Sequence, residues 1–139
     1  GPVYQAGTLS GTPLATAAGL AALSELDADA YERLDAIAAS LADGLSDAIG
    51  GAGIPVQVPR VGPLVGLFFG REQPVVDFTG AVASAETGLY RRFFRGMLDR
   101  GIALAPGPYE ALFPSLAHTA DDIAATVAAA SDAAHALVD

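Results

Sequence analysis

Seven residues near the start of the chain, Gly7-Thr8-Leu9-Ser10-Gly11-Thr12-Pro13, set two glycines and three hydroxyl side chains directly ahead of an Ala- and Leu-rich run. Gly7 allows close backbone approach to a ligand, and Thr8 and Ser10 offer hydroxyl donors. Free N–H groups at turns and at a helix start favour a phosphate or a carboxylate. The same residues can equally do no more than close the turn and cap the helix. Glu110 is a second candidate. It follows Pro106-Gly107-Pro108 and lies among Tyr109, Ala111, Leu112 and Phe113. A carboxylate partly desolvated in such company suits holding an amine or moving a proton; the alternative is a solvated loop glutamate.

Other candidates are weaker. His118 reads as a hydrogen-bonded structural residue, and His135 as a solvent-facing residue in the last turns of a helix. Asp27, Asp29, Glu32 and Asp35 form a solvated helix start without the spacing of a calcium loop, and no histidine pair fits zinc, so no metal is expected. The chain has no cysteine, which removes disulfides and thiolate chemistry. Its seven basic residues are all arginines, Arg33, Arg60, Arg71, Arg91, Arg92, Arg95 and Arg100. Chemistry that needs a Schiff base to lysine therefore cannot be completed by this polypeptide alone. A formal net charge of −9 repels nucleic-acid phosphates and anionic lipid, so neither nucleic acid nor membrane is an expected partner. No apolar run spans a bilayer and nothing resembles a targeting segment, so a cytoplasmic protein is expected.

The elements that must position these residues follow from period and punctuation. A chain of 139 residues, 52% hydrophobic, can bury a core. Thr12 and Pro13 start a helix over residues 14–26 that is apolar nearly all round and expects burial on most faces, in this chain or against a partner. Asp29 and Glu32 read as the capping box of a second helix with a stripe of Ala30, Leu34, Ile37, Leu41, Leu45 and Ile49, ended by Gly50-Gly51. Val56, Val58, Leu64, Leu67 and Phe69, between prolines and glycines, read as a β-hairpin or two neighbouring strands. Residues 71–86 read as irregular. Thr87 caps a third helix that turns Leu89, Phe93, Met97 and Leu98 inward. Short strands are expected over 102–105 and 113–117. Thr119 to Asp122 cap a last helix with Ile123, Val127, Ala130, Ala134 and Leu137 inward. The fold class is α+β, a small, mainly antiparallel sheet covered by helices. Residues 1–26 read as a loop and interface helix, and 27–139 as the compact domain.

The segment Tyr4-Gln5-Ala6-Gly7-Thr8-Leu9-Ser10-Gly11-Thr12-Pro13-Leu14-Ala15 closely resembles YQAGTLSGNPLA of the glutamate-1-semialdehyde 2,1-aminomutase family, class-III, fold-type-I pyridoxal-phosphate enzymes of tetrapyrrole synthesis. The resemblance runs on through Gly62-Pro63 to Phe68-Phe69, Tyr90-Arg91-Arg92-Phe93-Phe94, Leu104-Ala105-Pro106, Tyr109-Glu110-Ala111 and Ser115-Leu116-Ala117-His118-Thr119, and so covers essentially the whole chain.

That resemblance implies the C-terminal small domain of such an enzyme, with the cofactor lysine upstream of the opening motif and no activity for this piece alone. It implies a homodimer in which Gly7 and Thr8 contact the phosphate of pyridoxal 5'-phosphate held by the other subunit. Glu110 matches the family glutamate near the substrate amine, and Tyr4 and Gln5 match positions lining the site. Three positions depart from the family pattern: Thr12 replaces Asn, Gly107 replaces Ser, and Leu112 replaces a Gly two residues after the glutamate. Leu cannot adopt positive φ cheaply, so the Glu110 loop is expected to be reshaped. The departures leave room for another class-III aminotransferase, and the missing lysine for a non-catalytic interaction domain.

Overall fold

A computed structural model of the chain describes residues 3, 4 and 6–138. The chain divides into two compact units between Arg33 and Leu34, whereas the residue pattern places the division ahead of Asp27.

In the first unit, α1 (Pro13–Ser24) begins as its residues dictate. Thr12 is extended, at φ −67° and ψ 148°, and its Oγ1 accepts from the Ala15 N–H at 3.4 Å. Pro13 needs no partner for an N–H it lacks. No residue of α1 is buried; Leu14, Leu20 and Leu23 are 82%, 71% and 64% exposed. Among the described residues of the first unit, nothing supplies the burial expected of this apolar run. α2 (Ala28–Gly51) starts two residues earlier than the Asp29–Glu32 pair suggests. Asp27 is the cap, its Oδ1 accepting from the Ala30 N–H at 2.8 Å, and this places Asp29 inside the first turn.

The second unit holds the core. Leu41, Leu45 and Ile49 of α2 are buried at the expected spacing. Four two-residue strands follow: β1 (Val56–Gln57), β2 (Arg60–Val61), β3 (Leu64–Val65) and β4 (Phe68–Phe69). They form one interrupted antiparallel hairpin, with Val56 opposite Phe69 and Arg60 opposite Val65. The turn at Gly62-Pro63 uses a glycine at φ 53°. Pro59 has no N–H to give the ladder, yet its carbonyl still accepts from the Gly66 N–H at 2.8 Å.

α3 (Phe78–Glu86) occupies a stretch that reads as irregular. Asp77 caps it, accepting from the Gly80 N–H at 2.7 Å, and the buried Ser84 hydroxyl donates to the Phe69 carbonyl at 2.9 Å. A nine-residue helix rich in small residues carries little periodic signal; its place is set by this tie to β4. α4 (Leu89–Asp99) starts at Gly88, whose φ of 69° replaces the expected cap by Thr87. Thr87 still contributes, its Oγ1 accepting from the Leu89 N–H at 3.2 Å. Phe93 and Met97 are fully buried. Leu98, expected inside, is exposed, and Tyr90 takes the inward position.

α5 (Ala120–Val138) packs on α4. A Cβ on Gly96 would lie 3.1 Å from the Ala133 Cβ, so small residues set the close approach of these helices. Phe69 sits at the centre, 5.0 Å from the Phe93 ring and 6.2 Å from Tyr90. The strands expected over 102–105 and 113–117 do not form. Pro106, Pro108 and Pro114 remove donors there, and only Leu112 pairs, with Val65. The result is the expected α+β class: a small antiparallel sheet covered by helices.

Candidate functional site

The opening loop makes two consecutive turns. The Ser10 N–H donates to the Gly7 carbonyl at 3.0 Å, and the Thr12 N–H to the Leu9 carbonyl at 3.2 Å. A Cβ on Gly7 would fall 2.4 Å from Ser10 Oγ, so glycine makes room for that hydroxyl. The Thr12 hydroxyl is committed to the turn and the cap, donating to Leu9 and accepting from Ala15. The Thr8 and Ser10 hydroxyls have no hydrogen-bond partner among the described residues, and Thr8 lies on the surface. No carboxylate occurs between Gly1 and Ser24, and α1 starts with N–H groups that face back along the chain. Neutral donors without a competing acid fit a phosphate. The loop does not supply a Schiff-base amine, because no lysine exists in the chain. Tyr4 is exposed. Gln5 lies outside the described residues.

The loop carrying Glu110 belongs to the second unit and is fastened at three places. The Tyr90 hydroxyl donates to the Ala105 carbonyl. Leu112 exchanges two backbone bonds with Val65, at 2.8 and 3.1 Å. Tyr109 stacks on Phe78 with ring centroids 5.9 Å apart. Leu112 is buried, and no residue other than glycine has positive φ among the described residues. The leucine is thus accommodated by joining the β3 edge.

Glu110 is exposed rather than desolvated by its apolar neighbours. Its Oε1 accepts from the Gly107 N–H at 3.0 Å, and its own N–H donates to the Gly107 carbonyl at 3.3 Å. Tyr90 is the perturbed group in the neighbourhood. Burial, and secondarily the negative charge of Glu110, push its pKa up to about 12.

The histidines are structural. His118 Nδ1 accepts from the Ser115 N–H at 3.0 Å and closes the turn ahead of α5. His135 is exposed and donates to the Ser131 carbonyl at 2.8 Å. No group of acids and histidines able to hold a metal occurs among the described residues. Among the described residues, no helix is long and apolar enough to cross a membrane. Gly7 and Thr8 therefore share one turn, while Glu110 stands on a separate, tethered loop. Residue-type reasoning does not reveal Tyr90 and Phe78 as the supports of that loop. Tyr90 was open to detection, since it lies three residues before Phe93 on the inward face of α4.

No family model matches the chain. It is 51% identical over 130 residues to glutamate-1-semialdehyde 2,1-aminomutase of Anaeromyxobacter dehalogenans, covering 94% of this chain and 30% of that protein. It is 49% identical over 135 residues to the protein of that name from Thermus thermophilus, covering 96% and 31%. Among solved structures it superposes on an omega-transaminase from Sphaerobacter thermophilus with a TM-score of 0.74 at 22% identity, covering 95% of this chain and 30% of that one. A transaminase with PLP bound gives 0.75 at 19% identity, covering 98% and 30%. The fold is that of one part of a transaminase chain. In sequence the chain corresponds more particularly to the C-terminal part of glutamate-1-semialdehyde 2,1-aminomutase, and it spans about 30% of the length of those relatives.

Proposed function

We propose that this chain serves as the C-terminal part of a PLP-dependent aminomutase that converts glutamate-1-semialdehyde to 5-aminolevulinate in tetrapyrrole synthesis, working in the cytoplasm as a homodimer. The observation that carries the reading is the donor-rich turn at Gly7 and Thr8, free of acids, within a sequence half identical to proteins of that name. The Thr8 hydroxyl and the Gly7–Thr8 backbone would bind the cofactor phosphate presented by the second subunit. When bound, PLP supplies the electron sink that labilises bonds at the amine-bearing carbon. Glu110 would hold the substrate ammonium, and Tyr4 and Gln5 would line the entrance. The Schiff-base lysine is outside this chain, so the chain alone is inactive. Its partners would be a second copy and a small amino-acid-like substrate, with neither nucleic acid nor membrane.

The test uses the longer, lysine-containing protein. Supplied with glutamate-1-semialdehyde and no amino acceptor, it should yield 5-aminolevulinate. Thr8→Val should speed loss of PLP on dialysis, and Glu110→Gln should lower kcat/KM by about tenfold or more. Leu112, which ties the Glu110 loop to β3 where the family pattern has glycine, favours a second reading: an aminotransferase acting on two substrates. Net amino transfer to an added keto acid would select that second reading and sink the mutase.

A further inference from the structure

Glu110 is held in a way that its neighbour alone permits. Its carboxylate turns back onto the Gly107 N–H at 3.0 Å, and no cationic side chain pairs with it among the described residues. A Cβ on residue 107 would lie 2.6 Å from Glu110 Oε1 and 3.5 Å from its carboxyl carbon, closer to the oxygen than real Cβ atoms come. The backbone at Gly107 is not in the positive-φ region, so conformation does not demand glycine there. What the missing Cβ provides is room for the carboxylate. The loop around it is fixed by Tyr90, Val65 and Phe78, so the freedom that remains belongs to the exposed Glu110 side chain.

We propose that Gly107 is a positioning residue for Glu110: it lets the carboxylate retract onto the backbone, and an incoming cationic amine must draw it off before being held. This rests on the reading of Glu110 as the amine-facing carboxylate. The chemistry is a competition between two donors. An ammonium gives a charge-assisted bond and displaces a neutral N–H, but the retracted state lowers apparent affinity by the fraction of molecules that occupy it. A side chain at 107 removes the retracted state and leaves the carboxylate extended. Gly107 thereby tunes amine affinity without touching substrate.

The experiment uses the full-length enzyme and four measurements, on Gly107→Ala, Gly107→Ser, the wild type and Glu110→Gln. In Gly107→Ala, KM for glutamate-1-semialdehyde should fall about threefold to tenfold, with kcat changed less than about twofold. Gly107→Ser carries the same Cβ and should reproduce the fall. In the wild type, hydrogen–deuterium exchange at the Gly107 amide should accelerate when 5-aminolevulinate saturates the site, because the carboxylate leaves it. Wild-type kcat/KM in Glu110→Gln would sink the site reading, and this proposal with it. Loss of activity in Glu110→Gln, together with an unchanged or raised KM in both residue-107 variants, would overturn the proposal alone. Should the variants fail to fold, the exchange measurement decides: acceleration supports retraction, and an unchanged rate overturns it.

Discussion

The Tyr90 hydroxyl donates to the Ala105 carbonyl and ties α4 to the loop that carries Glu110. Burial and then the Glu110 charge raise the tyrosine pKa from 10.0 to about 12. Between those values the folded chain keeps a proton that the unfolded chain has released, so stability falls as pH rises through that window and is unaffected below it. Urea midpoints should therefore drop between pH about 10 and about 12. Tyr90→Phe should cost about 1 kcal/mol near neutrality and flatten the alkaline fall. An equally steep fall in the variant would remove Tyr90 as its source.

Gly44 faces Val127 so closely that a Cβ there would lie 2.4 Å from Val127 Cγ2. Alanine gains about 1 kcal/mol of helix propensity over glycine, whereas forcing a methyl against a stiff, β-branched side chain costs about 1–3 kcal/mol. Gly44→Ala should lose about 1 kcal/mol net, and Val127→Ala in the same chain should recover most of it. Purely additive single and double variants in thermal unfolding would refute the contact.

Thr119 and Asp122 form the capping box of α5. The carboxylate accepts from the Thr119 N–H at 2.8 Å, while Thr119 Oγ1 accepts from the Asp122 N–H at 3.2 Å. The backbone bond from Thr119, then its hydroxyl, hold the Asp122 pKa below 3.8. That contribution is complete above the ordinary aspartate pKa and is lost as pH falls through the lower folded value. Asp122→Asn should make acid unfolding by circular dichroism less steep. Thr119→Ala should cost about 1 kcal/mol at neutral pH.

α1 exposes Leu14, Leu20 and Leu23 on a helix without a charged residue. The 139-residue chain on its own should self-associate through these side chains. Leu20→Glu with Leu23→Glu should shift sedimentation toward monomer. A monomeric wild type over the same concentrations would show that this surface does not drive association.

The opening turn was legible from residue types. Gly7, Thr8, Ser10, Thr12 and Pro13 act within a few residues of one another, and local chemistry suffices to place them. The helices α2, α4 and α5 were legible because Leu41, Leu45, Ile49, Phe93, Met97 and Ile123 repeat at helical spacing. α3 was not, because the bond that places it joins Ser84 to Phe69, fifteen residues apart. The strands expected over 102–105 and 113–117 were misread for the converse reason: β-branched and aromatic residues raise strand propensity, but a strand needs a partner edge, and only Leu112 has one.

By itself the sequence determined the neutral donor turn, the caps at Thr12 and Thr119, the amphipathic stripes and the absence of lysine, since each depends on residue identity and short-range spacing. Tertiary structure alone decided the setting of Glu110. Its exposure and the tethers of its loop through Tyr90, Val65 and Phe78 depend on which surfaces the folded core leaves side by side, whereas its bond to Gly107 spans only three residues. Apolar neighbours in sequence do not desolvate a carboxylate. Only neighbours in space do, and here the fold turns the Glu110 carboxylate outward.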